Sequence, residues 1–356
     1  MDLLRRLVAI PSESMHESDI ADFIEQWLRE RTITTYRQEE NVVAFVRGSV
    51  STKALVFNGH IDTVPSDDAT KWTYGPYTPT VKDGVMYGLG VSDMKAGDAG
   101  LMALAEYYQT NTPPCDLWFS FVTQEETDGS GTQSFLEWFY EQKHHEPYEQ
   151  IEGLIPEPTN CEYFGLGHRG NYFVTLLIAP DTPAMSDVIT SLSRAIATLQ
   201  SSWQATYNHP LLGLPTIAFT GVAYDLETSP ENGASLVIDV RTTPELHDTF
   251  QEVLAAFLHK NYPTVSYKII SDCPVGWCPD NSQLRAIATE HFPSIRQQSM
   301  PGSTDLCFFS ERDIPCLIFG PGQREKMHSI DETFVCSKLD EYIQVTKEIV
   351  EYYGKS

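Results

Sequence analysis

Basic residues are scarce in this chain. Its 356 residues carry 24 Lys and Arg against 49 Asp and Glu, a net charge of −25. Nucleic-acid phosphates and an anionic membrane surface would both be repelled, so neither is an expected partner. The chain also has no apolar run near the ~18 residues of a membrane span. Its start, Met1-Asp2-Leu3-Leu4-Arg5-Arg6, lacks a secretory apolar core and a small-residue cleavage site. Cysteine is sparse and scattered: Cys115, Cys161, Cys273, Cys278, Cys307, Cys316 and Cys336. An odd count without repeating spacing does not make a secreted disulfide framework. Cys273 and Cys278 have no second pair nearby to complete an all-cysteine zinc site. There is no internal repeat and no low-complexity tract. A cytoplasmic protein with reduced thiols is the expectation.

Hydrophobic residues make up 41% of the chain, which fits a globular protein with room for two domains. Helical spacing appears in Leu3, Leu4, Leu7 and Val8, and again over Glu13–Arg31 with Ile20, Phe23, Ile24, Trp27 and Leu28 on one face. Short apolar runs read as strands: Val42–Val46, Ala54–Phe57, Leu117–Val122, Ile151–Ile155 and Leu317–Gly320. Helical patterns alternate with them over Lys95–Tyr108, Gly131–Gln142, Ser282–His291 and Ser337–Tyr353. This α/β alternation predicts a mostly parallel sheet flanked by helices. Between these stretches the pattern changes. Strand, helix, strand, strand, helix, strand follow over Asn171–Ile178, Met185–Leu199, Pro215–Tyr224, Ala234–Arg241, Pro244–His259 and Val265–Ile270. That order is the ferredoxin-like unit. The expected domains are therefore 1–167 with 275–356, interrupted by an inserted α+β domain at 168–274.

The chemistry-bearing residues sit just past strands. His60 and Asp62 follow Ala54–Phe57, and Asp93 closes Gly88-Leu89-Gly90-Val91-Ser92-Asp93. Glu125 and Glu126 follow Leu117–Val122, Glu157 follows Ile151–Ile155, and His328 follows Leu317–Gly320. In a parallel sheet those carboxyl ends share one edge, where α/β proteins place their sites. Carboxylates gathered there repel one another unless a cation neutralises them. Imidazole and carboxylate are first-row metal ligands. One carboxylate can bridge two metals roughly 3.5–4 Å apart, each with a His and a carboxylate of its own. That uses two His and three carboxylates and leaves a carboxylate as general base. Glu125-Glu126 can supply both functions, because neighbours on an extended segment point to opposite sides.

These motifs resemble the M20 family of metallopeptidases and deacylases. The matching text is Gly59-His60-Ile61-Asp62, Gly90-Val91-Ser92-Asp93-Met94-Lys95, Glu125-Glu126, Glu157-Pro158-Thr159, and Gly320-Pro321-Gly322 leading to His328-Ser329. The resemblance implies a zinc aminopeptidase-like catalytic domain, an inserted lid that commonly dimerises, and two Zn²⁺ per subunit, with Co²⁺ able to substitute. It implies that Asp93 bridges the metals, that His60 and Glu157 complete one site, and that Glu126 and His328 complete the other. Asp62 would orient His60, and Glu125 would be the base. Ser92–Asp98 and Glu157–Thr159 look most like the succinyl-diaminopimelate desuccinylases, then the acetylornithine deacetylases. Dipeptidases and carboxypeptidases of the family remain alternatives. The implied substrate is a small N-acyl amino acid. Arg241 matches a lid arginine that holds a substrate carboxylate, and Ser303 and Thr304, in Gly302-Ser303-Thr304-Asp305, match a substrate loop. The family lid also carries a His after its first strand. The corresponding stretch here, Ala179-Pro180-Asp181-Thr182-Pro183-Ala184-Met185, has none, and His209 is the candidate replacement.

Overall fold

The computed structural model describes residues 1–179, 182–224 and 233–355. The chain divides into two compact units. One comprises Met1–Leu166, Trp277–Gln298 and Thr304–Ser356, and the other Gly167–Gly276 with Ser299–Ser303.

The first unit is built on a mixed sheet. Its strands run in the order Thr34–Gln38, Asn41–Val46, Cys115–Val122, Val50–His60, Gln150–Ile155, Cys316–Ile318 and Tyr163–His168. The centre is parallel: Val50–His60 pairs in parallel with both Cys115–Val122 and Gln150–Ile155, and Cys316–Ile318 pairs in parallel with Gln150–Ile155. Every residue of Cys115–Val122 is buried, as an apolar run covered on both faces requires. Leu55, Val56, Phe57, Leu117 and Phe119 are all at most 1% exposed. Each such side chain contributes roughly 1.5–3 kcal/mol by leaving water.

The outer strands are antiparallel. Thr34–Gln38 folds back on Asn41–Val46, which pairs antiparallel with Cys115–Val122. The first of these has a polar, half-exposed sequence with no apolar run, so periodicity alone does not reveal it. Lys95–Thr110 is a buried helix, whereas Ser18–Glu30 is amphipathic with Ile20, Ala21, Ile24, Trp27 and Leu28 inward. The helix expected from Glu13 begins only at Ser18, because Glu13 is in extended pairing with Thr63.

The second unit is an antiparallel sheet in the order Thr216–Tyr224, Ala234–Thr242, Gly170–Ile178, Val265–Cys273. Its helices Met185–Thr206 and Pro244–Asn261 enclose Val174, Leu176, Leu192, Ile196, Leu236, Ile238, Phe250 and Leu254. Alternate residues of Ala234–Thr242 are buried, the period-two pattern of a sheet with one covered face. This is the ferredoxin-like order. Among the described residues, no helix is long and apolar enough to cross a membrane.

Candidate metal centre

The parallel strands deliver their chemistry to one edge, as expected for carboxyl ends that point the same way. His60 is the last residue of Val50–His60 and is 1% exposed. Its Nδ1 faces the Asp62 carbonyl at 3.1 Å and Asp62 Oδ1 at 3.4 Å. With Nδ1 so engaged, Nε2 is left to face Asp93 Oδ1 at 3.3 Å and Glu157 Oε1 at 3.9 Å. The second oxygen of Asp93 turns the other way. Asp93 Oδ2 lies 3.1 Å from His328 Nε2, which also meets Glu126 Oε1 at 2.9 Å. Asp93 thus divides its carboxylate between two imidazole–carboxylate groups. The ligand atoms within each set, His60–Asp93–Glu157 and Asp93–Glu126–His328, lie within 4.8 Å of one another. A third grouping, His60–Glu125–Glu126, brings Glu125 beside both.

Close backbone approach knits the loops together. A Cβ on Gly320 would stand 2.1 Å from the Pro156 carbonyl oxygen, next to Glu157. One on Gly322 would stand 2.0 Å from the Ser92 carbonyl oxygen, next to Asp93. Real Cβ atoms do not sit so close, so Gly320-Pro321-Gly322 is a packing requirement of the site. Glu332 fixes the Asp93 loop from beneath. Its carboxylate accepts from the N–H groups of Gly90, Ser92 and Asp93 at 3.0, 2.7 and 3.1 Å. Asp305 is buried alongside, accepting from Thr132 Oγ1 at 2.6 Å and from Asn58 Nδ2 at 3.4 Å.

The electrostatics are those of a crowded anionic cage. Burial, followed by the charge of Glu157, holds Glu125 well above the usual carboxylate range. Burial, followed by the charge of Asp93, does the same to Glu157. Burial raises Asp305 to about 7 and, with help from Asp93, Glu332 to about 8. Against its burial, Asp93 is held low by hydrogen bonds from His328 and His60. His328 is raised to about 10 by Asp93 and Glu126. Such a cluster is costly without a compensating cation. Its N and O donors suit a first-row divalent ion such as zinc, so the residues present fit the expected metal pair.

Not every expectation falls at this edge. Glu125 and Glu126 lie in a turn rather than an extended segment, and Gln124 before them is left-handed at φ +61°. The turn, not strand alternation, separates the two side chains. Arg241 and Ser303 belong to the second unit, whereas Thr304 belongs to the first. The Arg241 guanidinium grips Asp239, Nε to Oδ1 at 2.9 Å and Nη2 to Oδ2 at 3.0 Å. The His209 Nδ1 accepts from the N–H groups of Leu211 and Leu212 at 3.3 and 3.1 Å, which commits that nitrogen to its own turn. Pro180 and Asp181, in the stretch lacking the lid His, lie outside the described residues. Sequence reading named neither Glu332 nor Asp305 as a site residue. Asp305 was within reach, since it ends the Gly302–Asp305 motif. Glu332 carries no local signal.

A family model described as Peptidase family M20/M25/M40 matches residues 56–352. An N-formyl-4-amino-5-aminomethyl-2-methylpyrimidine deformylase from Halalkalibacterium halodurans is 26% identical, over 98% of this chain and 92% of that protein. A probable succinyl-diaminopimelate desuccinylase from Staphylococcus epidermidis is also 26% identical, over 99% and 96%. Among solved structures, a dinuclear metal binding peptidase from the M20 family, from Bacillus subtilis, superposes with a TM-score of 0.73 at 18% identity. It covers 99% of this chain and 97% of that one.

Proposed function

The chain belongs to peptidase family M20/M25/M40 and is thus a hydrolase of amide bonds, and from that premise we propose that it removes a small N-acyl group from an amino acid. N-succinyl-LL-2,6-diaminopimelate is the substrate proposed first. The observation that carries the reading is the split of Asp93 between His60–Glu157 and Glu126–His328, with Glu125 alongside. The names of the two relatives support N-acyl removal, since one is called a desuccinylase and the other a deformylase, and the desuccinylase's name supports an amino acid as the acyl carrier.

His60, Asp93 and Glu157 would hold one divalent ion, and Asp93, Glu126 and His328 a second. Zinc is proposed for both, with cobalt as a substitute. Bound there, the ions supply Lewis acidity for the amide carbonyl and lower the pKa of water. Glu125 then acts as general base, accepting the proton of the attacking water at a carboxylate oxygen. It returns that proton to the amide nitrogen as the C–N bond breaks. Asp62 keeps His60 in one tautomer. Arg241 is proposed to leave Asp239 for a substrate carboxylate, which a guanidinium can bind through two parallel hydrogen bonds. A cytoplasmic homodimer joined through residues 168–274 completes the proposal.

The test is a hydrolysis panel of N-succinyl-LL-2,6-diaminopimelate, N-acetylornithine, an N-formyl amine and dipeptides, each with added Zn²⁺ and with a chelator. Chelator-sensitive release of succinate is the expected result. Preferential cleavage of dipeptides would replace the deacylase reading, and an inert metal-loaded protein would end it.

A further inference from the structure

We propose that Ser14 and Glu17 are positioning residues that set the turn carrying Glu125 and Glu126. They lie in the N-terminal segment that precedes the family match, which begins at residue 56. That segment is tied to residues 61–63 by a single β-bridge, Glu13 to Thr63, and by the hydrogen bonds around it. Ser12 Oγ donates to the Ile61 carbonyl at 2.8 Å, Thr63 N–H to the Ser12 carbonyl at 2.9 Å, and Ser14 N–H to the Thr63 carbonyl at 3.1 Å.

Three consecutive N–H groups of the turn then each end on a carboxylate. Gln124 donates to Glu17 Oε1, Glu125 to Asp62 Oδ1 and Glu126 to Asp62 Oδ2, all at 3.2 Å. The Ser14 hydroxyl donates to Asp62 Oδ2 at 2.7 Å and so fixes the carboxylate that holds two of the three. Glu17 has a structural role open to it as the residue capping the helix Ser18–Glu30, yet its side chain makes no cap hydrogen bond. It is instead 3% exposed, with its carboxylate shared between the Gln124 N–H and the backbone of Met15 and Glu17 itself. Burying a carboxylate is costly unless it is hydrogen-bonded, and bonds to an ionised acceptor are the strong ones. The left-handed Gln124 needs such a restraint. Asp62 therefore holds the turn from one side and Glu17 from the other. With either hold released, Glu125 and Glu126 turn away from Asp93 and His60.

The experiment compares Ser14→Ala and Glu17→Ala with the conservative variants Ser14→Thr and Glu17→Gln, which keep a hydroxyl and an acceptor oxygen. Backbone amide exchange of the metal-free full chain is read at residues 124–126. The visible spectrum of the Co²⁺-loaded protein and the kcat and KM for an N-acyl amide that the wild type hydrolyses are read beside it. The alanine variants are expected to exchange at least about ten-fold faster at residues 124–126 only. They are also expected to shift the Co²⁺ spectrum and to lower kcat about ten-fold at unchanged KM, equivalent to ~1.4 kcal/mol. Recovery in Ser14→Thr and Glu17→Gln supports the proposal. Wild-type exchange in the alanine variants, or a loss that the conservative variants do not recover, overturns it. Ser14 is only partly buried, so Ser14→Ala decides the matter if Glu17→Ala does not fold. The kcat and Co²⁺ arms rest on the proposed hydrolase function and its metal site. The exchange arm needs neither metal nor substrate, so failure of that reading leaves it standing.

Discussion

Stripped of metal, the protein should lose stability as pH rises from 5 to 8. Asp305 and Glu332 have folded-state values near 7 and 8, against ordinary values of 3.8 and 4.5. A carboxylate raised by folding contributes stability that is fully present below its unfolded pKa. That stability is lost as pH climbs through the folded one, because the native state then binds more protons than the unfolded state. Over this window each of the two carries about 2.5–3.5 kcal/mol at full strength. Water entry and local relaxation reduce such figures, so a combined loss of about 3 kcal/mol is the working expectation. Glu125, Glu157 and Asp98, also raised, act in the same direction. Lys95, lowered to about 7 by burial, opposes them only above pH 7. The assay is urea unfolding in chelator at pH 5.5 and 8. Tryptophan fluorescence suits it, because Trp27, Trp72, Trp118, Trp138 and Trp277, five of the six tryptophans, belong to the first unit, with Trp203 in the second. Added Zn²⁺ should reverse the gradient, since ligands bind metal deprotonated. Metal-free protein equally stable at both pH values, or more stable at pH 8, would refute the reasoning.

Three further outcomes are expected. Glu125→Gln should keep its metal and lose at least about 10²-fold in kcat, measured with metal analysis on the same sample. Gly320→Ala forces a Cβ against the Pro156 and Glu157 backbone. Overpacking of that kind costs about 1–3 kcal/mol or more, so both melting temperature and Zn²⁺ affinity should fall. Arg241→Ala should raise KM for a carboxylate-bearing substrate about ten-fold, as expected for a lost charged hydrogen bond. With the corresponding amide as substrate, variant and wild type should converge.

What the sequence made legible was whatever rests on local pattern. The buried strands announce themselves as apolar runs, and the inserted unit by the order of its elements. Both are consequences of which side chains must leave water. The residues at strand ends could be picked out because topology brings those ends to one edge. Less was legible where a residue works through partners far along the chain. Glu332 meets the Asp93 loop across some 240 positions, and Glu17 meets Gln124 across 107. No spacing rule reaches that far. The helix starts at Ser18 rather than Glu13 for the same reason, since pairing with Thr63 outweighs the helical pattern. Thr34–Gln38 is silent in the sequence because a polar edge strand has no apolar signature.

The central claim is that Asp93 serves two cations at once. Diffraction from crystals grown with Zn²⁺, recorded on both sides of the zinc absorption edge, tests it most directly. The account predicts two anomalous peaks, one between His60, Glu157 and Asp93 Oδ1, the other between His328, Glu126 and Asp93 Oδ2. A lone peak away from Asp93, or no peak at saturating zinc, would contradict it.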